Sequence, residues 1–282
     1  MSISSEMVTW VDYASKAMLS NSRWMTWNTF LALVPLALSF WLFKPARSRW
    51  LMWGVTLMLG LTFFPNARIV APLFRRFIPD LGLPYLFGFL LFTASLMAID
   101  IWIVKRSQSR PISWWLGFLV FISFLPNAPY VLTDVIHLID DIRMGYSVWI
   151  ITLALIPLYL LFMFVGFQAY VLSLMHMGEY MQRQGWGKFI LLSELVVHAL
   201  SAIGIYLGRF LRFNSWDIIT NTQMLLNRMM EDLIAQRPAI VMLITFVVIS
   251  VLYLIMKWIT LGVQQLGDNS KNNNYQLLLK GN

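Results

Sequence analysis

The sequence predicts an all-α polytopic membrane bundle of about seven transmembrane helices, and three observations predict it. Of the 282 residues, 59% are hydrophobic and only 12% charged, where a soluble domain carries about 25% charged residues. The apolar residues fall in runs long enough to cross a bilayer, giving a mean hydropathy of +0.68. Short basic clusters separate those runs.

The elements follow in chain order. Residues 1–23 include Glu6 and Asp12 and lack a basic stretch leading into a short apolar core, so they read as a polar or interfacial lead rather than a removable signal peptide. A span needs roughly 20 apolar residues at about 1.5 Å each. Runs of that order occur at Trp24 to Phe43, Gly82 to Val104, Ser147 to Met175, Phe189 to Leu207 and Ala239 to Thr260. Two shorter ones, Trp50 to Phe64 and Ile112 to Leu125, each run into a Pro-Asn-Ala triplet and complete seven crossings within a single transmembrane domain, 24–260. Between the last two spans, 222–237 places Leu226, Met229, Met230 and Leu233 on one face, the pattern of an amphipathic surface helix. The polar, low-complexity tail, 261–282, is expected to be disordered.

Seven crossings put Lys44, Arg47 and Arg49, then Lys105, Arg106 and Arg110, then Arg183 and Lys188, and the C-terminal lysines on one side. By the positive-inside rule that side is cytoplasmic, leaving the N-terminus outside. The net charge of +8 is spread over these clusters, which suit membrane anchoring and anionic head groups and not nucleic acid. The absence of cysteine excludes disulfides, zinc–thiolate sites and thiol nucleophiles.

An offset of 61 residues aligns the thirty positions from Trp41 with those from Trp102, without a gap and with ten identities. Lys44, Arg49, Trp53 and Pro65-Asn66-Ala67 match Lys105, Arg110, Trp114 and Pro126-Asn127-Ala128. The hairpins 24–70 and 82–131 thus read as a tandem parallel repeat. Each second helix is expected to bend or stop at its proline, and interrupted helices at matching positions of two repeats point to a binding site. The plainer alternative is that Asn66 and Asn127 cap the broken ends.

Only the second copy continues into polar residues, Tyr130, Thr133, Asp134 and His137. On a helix Asp134 and His137 share a face, making them the candidates for acid–base work, with the imidazole setting a pH response around its reference value of about 6.5. As a metal motif this DxxH is half a site, and no HExxH, GxSxG or Walker sequence is present, so neither metal nor cofactor is expected. Arg209 and Arg212 are also three apart, followed by Asn214 and Asp217. Two guanidiniums on one face can clamp a carboxylate or phosphate. Asn127, Tyr130, Asp134, His137, Arg209, Arg212, Asn214 and Asp217 therefore form the expected ligand-binding set at the outer face. The competing reading is a carboxylate simply paired to an arginine. Deeper in the spans lie Asp100, Glu194 and His198. Such residues usually face a bundle interior, as a structural Glu–His pair or as a proton or cation relay. His176 and Glu179 belong to the opposite membrane side.

The segments FLPNAPYVLTDVIHL, 124–138, and YLGRFLRFNSWDIITN, 206–221, together resemble the bacterial membrane-protein family known as domain of unknown function 1361. The likeness extends over most of 92–221. It implies a multi-span protein of the bacterial inner membrane and supplies no reaction or substrate. Three functional classes stay open: a transporter or binding protein for a small anionic or lipid-like molecule, an intramembrane enzyme using Asp134, His137 and Arg209, and a non-catalytic scaffold or assembly factor.

Overall fold

A computed structural model of the chain describes residues 3–43, 49–63, 110–209 and 237–280. These residues are helical throughout, apart from short turns, and contain no strand. Helix α1 covers Ile3–Phe43, α2 Arg49–Phe63 and α3 Ile112–Phe124; α4, Asn127–Tyr130, and a 3-10 turn, Val131–Asp134, lead into α5, Val135–Arg143. After the turn at Gly145 come α6, Val148–Ile150, a π-helical turn, Ile151–Leu155, and α7, Ile156–Arg183. A 3-10 turn, Gly187–Phe189, opens α8, Ile190–Arg209, and α9 spans Arg237–Lys280.

Five helical stretches are long and apolar enough to cross a membrane: Trp10–Phe43, Ile112–Arg143, Val148–Arg183, Gly187–Arg209 and Pro238–Gly267. Helix α2 contributes a shorter apolar stretch, Trp53–Phe63. The expected span Gly82 to Val104, and with it most of the second repeat copy, lies outside the described residues, as do Pro65-Asn66-Ala67 and, but for Arg237, the surface helix at 222–237. The sequence sets the lead 1–23 apart from the first span. From Ile3 onward the two form one helix. The last helix likewise runs on to Lys280, through the tail expected to be disordered.

At Pro126, where the sequence expects the helix to bend or stop, it bends: the chain continues as α4, the 3-10 turn and α5 to Arg143. Leu125 and Pro126 both keep right-handed helical backbone angles, and Pro126 stands as the N-cap of α4. A proline at a helix start forfeits only an N–H that would be unsatisfied there anyway. The path bends without leaving the bundle.

Packing sets the directions. Phe43, at the end of α1, stacks its ring edge-on to Phe121 and Trp114 of α3, and Trp114 Nε1 donates to the Leu42 carbonyl at 3.2 Å. Asn28 and Asn21, further back on α1, reach Asp134 and Asp141. The path from α3 to α5 is therefore antiparallel to α1. Helix α7 returns beside it, with Gly166 against Val131 and Tyr159 bonded to Asp141. Helix α8 closes on the Pro126 bend through small residues: Gly204 faces the Pro126 ring and Gly208 the Tyr130 ring. Helix α9 docks on α8 through Tyr253 and Lys257.

The enclosed core holds Phe121, Leu125, Val131, Tyr159, Tyr170 and Leu174. Large apolar side chains cover the outside, such as Leu161 (62% exposed), Val251 and Trp258 (75%). Exposed apolar surface on this scale suits hydrocarbon, where every backbone group is already satisfied within its helix.

Candidate functional site

Asp134 ends the 3-10 turn that follows the Pro126 bend. The tighter turn and the α1 helix beside it bury the residue to 1% exposure. One carboxylate oxygen, Oδ2, accepts a hydrogen bond from Asn28 Nδ2 at 2.8 Å. The other, Oδ1, is paired with Arg209 Nη2. Arg209 also donates from Nε and Nη2 to Thr133 Oγ1, at 3.0 and 2.9 Å, and lies over the Tyr130 ring, 4.8 Å from its centroid. The arginine thus sits in a slot built by consecutive turns of one path and the last turn of α8. Its side chain keeps 17% exposure, and Nη1 makes no hydrogen bond with the described residues. His137 lies at the edge of the cluster, with Nε2 4.0 Å from Asp134 Oδ1 and its ring 4.6 Å from that of Trp24.

The depth of this cluster follows from helix rise. Fifteen residues of α1 separate Phe43 from Asn28, about 22 Å along the axis. The Asp134–Arg209 pair therefore lies toward the end of the bundle opposite Phe43, between helical stretches long and apolar enough to cross a membrane. A charge buried between such stretches is tolerated only when paired and hydrogen-bonded.

Of the expected ligand set, Tyr130, Asp134, His137 and Arg209 come together. Asn127 serves its own helix instead, with Nδ2 donating to the Phe124 carbonyl at 3.1 Å, the capping role offered as the plainer alternative. Arg212, Asn214 and Asp217 lie outside the described residues, as does Asp100. Glu194 and His198 do not form the expected pair. Glu194 Oε1 accepts from Lys257 Nζ and Tyr253 Oη, each at 2.6 Å, while His198 Nδ1 is 2.7 Å from the Tyr170 hydroxyl. His176 is bonded elsewhere, its Nδ1 2.8 Å from Ser39 Oγ. Among the described residues no three His, Asp or Glu side chains gather as a metal site would need.

Not expected from the sequence are Asn28 and Trp24, and a second buried carboxylate, Asp141, held by Asn21 Nδ2 at 2.6 Å and the Tyr159 hydroxyl at 3.0 Å. A signal exists. Asn21 and Asn28 are seven apart, as are Asp134 and Asp141, and two helical turns return to nearly the same face. Two antiparallel helices with matching seven-residue spacing can pair both rungs.

Fold and cluster together define an all-α integral membrane protein whose spans are joined by buried charge pairs. The chain belongs to the family described as Protein of unknown function (DUF1361), whose model matches residues 87–251, well over half of the chain. Both motifs that carry the resemblance, 124–138 and 206–221, lie within the match. Neither a curated protein nor a solved structure matches the chain.

Proposed function

We propose that the protein binds or transports a small lipid-like molecule with an anionic group, recognised at the Arg209 end of α8. The observation that carries this reading is the Nη1 of Arg209, without a hydrogen bond among the described residues, beside Thr133, Tyr130 and His137, in a belt whose outer face (Val135, Ile136, Ile139) is apolar and exposed. A ligand arriving there comes from the bilayer. Because Asp134 neutralises Arg209, the pair offers directed N–H donors rather than net charge, and this favours an amphiphile held also by its apolar part over a free anion. Arg212, Asn214 and Asp217 extend the same site in this reading.

The setting is the bacterial inner membrane, with seven crossings, a tandem hairpin repeat and the Arg110 end in the cytoplasm. At that end Arg110 lies over the rings of Trp114, Trp115, Tyr180 and Trp186 and Arg183 donates to the Phe43 carbonyl, the basic-plus-aromatic dressing of a cytoplasmic interface. At the other end Lys16, Arg143 and Arg209 face Asp12, Asp140 and Asp134, and Arg23 is exposed.

A scaffold is the second reading, favoured by the full engagement of both Asp134 oxygens. The same engagement gives an intramembrane enzyme less support, since a general base needs a free oxygen. The test is native mass spectrometry of the protein released from membranes in mild detergent. Retained anionic lipid that falls at least about tenfold in Arg209→Lys, which keeps the charge but loses the planar fork, supports binding. Equal retention by the folded variant removes the reading and leaves the scaffold.

A further inference from the structure

Three carboxylates are buried among the described helices. Two have a cation: Asp134 has Arg209 and Glu194 has Lys257. The third, Asp141, is 5% exposed and has none among the described residues. Its partners, Asn21 Nδ2 and the Tyr159 hydroxyl, are neutral and both bind the same oxygen, Oδ2. Neither is there by accident of rotation. Asn21 is oriented by Trp24, whose Nε1 donates to Asn21 Oδ1 at 2.9 Å, and Tyr159 is wholly enclosed. Two fixed donors thus hold the carboxylate and leave Oδ1 without a hydrogen bond. Among the described residues only Trp115 Nε1 is both unpaired and sealed from solvent, so Oδ1 keeps an opening.

The position adds a second constraint. Twenty-two residues of α1 separate Phe43 from Asn21, about 33 Å, about the thickness of the hydrocarbon layer, so Asp141 lies toward the far end of the bundle, about 10 Å along the helix path from Asp134. Arg143, two residues on, faces away and approaches exposed Asp140 at 3.9 Å. The rings of Trp24, Tyr159 and Phe162 form one aromatic cluster between the two carboxylates, with centroids 5.5 and 5.8 Å from Trp24.

We propose that Asp141 is the acceptor for the ammonium group of a zwitterionic amphiphile whose anionic group lies toward His137 and Arg209. This rests on the lipid-binding reading above and names its substrate class. A hard metal ion would need about six oxygen ligands, and the neighbours of Asp141 are donors and rings. A primary ammonium needs one carboxylate oxygen and is content against aromatic faces. Asn21, Trp24 and Tyr159 are positioning residues, holding Oδ2 and leaving Oδ1 for the ammonium.

The experiment compares retention of phosphatidylethanolamine and phosphatidylglycerol in nanodiscs containing both in equal amounts, by native mass spectrometry of wild type, Asp141→Asn and Asp141→Glu. Wild type prefers ethanolamine, and Asp141→Asn loses that preference by about tenfold or more while still holding phosphatidylglycerol. Asp141→Glu, which keeps the charge, keeps the preference. No preference in wild type, or an unchanged preference in Asp141→Asn, overturns the ammonium site. If Arg209→Lys nevertheless lowers retention of both lipids, the anionic-lipid reading stands without it; if Arg209→Lys has no effect, that reading fails separately. Loss of preference in Asp141→Glu as complete as in Asp141→Asn also overturns the proposal, because charge would not be what matters.

Discussion

Gly166 of α7 faces Val131 so closely that a Cβ placed on it would stand 2.8 Å from Val131 Cγ2 and 2.9 Å from Cγ1. Val131 is fully enclosed and opens the 3-10 turn that carries Thr133 and Asp134. Its β-branched side chain has one comfortable rotamer in a helix, so it cannot turn aside. The contact fixes how deep the site-bearing turn sits against α7.

Gly166→Ala is therefore expected to lower stability by about 1–3 kcal/mol through overpacking. Val131→Ala in the same chain should restore part of it. Unfolding in detergent, read as a double-mutant cycle, measures the coupling; additive losses would show that the contact does not constrain the turn.

Removing one member of the Asp134–Arg209 pair leaves the other charged inside the bilayer. Asp134→Asn or Arg209→Met alone should cost about 3–5 kcal/mol, and the two together distinctly less than their sum. The same unfolding assay decides it.

Glu194 and Lys257 make the parallel case between α8 and α9. Lys257→Met leaves Glu194 with only the Tyr253 hydroxyl. The loss should again be about 3–5 kcal/mol and should be largely recovered by adding Glu194→Gln. Sensitivity of α9 to protease in the single variant but not in the double would show the same thing locally.

The lack of any cysteine makes orientation directly measurable. A single cysteine at Lys188 should react with an impermeant maleimide only when the inner face is exposed, and one at Arg143 only from outside. The reverse pattern would invert the proposed topology.

Much of the fold is legible in the residues alone, and the failures have physical causes. The runs at 24–43, 147–175, 189–207 and 239–260 fall within helices because long apolar segments leave the backbone no other way to satisfy itself in lipid. The pairing of Asp134 with Arg209 is one of the two arrangements the sequence allows, since a charged residue next to a span must find a counter-charge. Pro126 leaves bending or stopping open because a proline's effect depends on the position it takes in a helix, which neighbouring helices decide. Lys257 carries a signal too, standing within the last apolar run. A lysine there implies a buried acid elsewhere, and Glu194 is the candidate. Spacing instead matches Glu194 with His198, its neighbour on the same helix, because sequence intervals show contacts along a helix and not across one.

The π turn at Ile151–Leu155 has a consequence for rotational register. In an unbroken α-helix, Leu155 would lie about 140° round from Ile150. The wider turn spends about one extra residue per revolution, and Ile150, Ala154 and Leu155 all join one buried cluster with Ala14 and Ala17 of α1. The bulge works like a gear with an added tooth. Deleting one residue from it would not merely shorten the helix; everything upstream, Tyr146 and the turn back to Arg143 included, would swing by about 100° relative to Tyr159. The segment that delivers Asp141 to its two donors is thus phased by five residues that hydrogen-bond to neither Asp141 nor the arginine among the described residues.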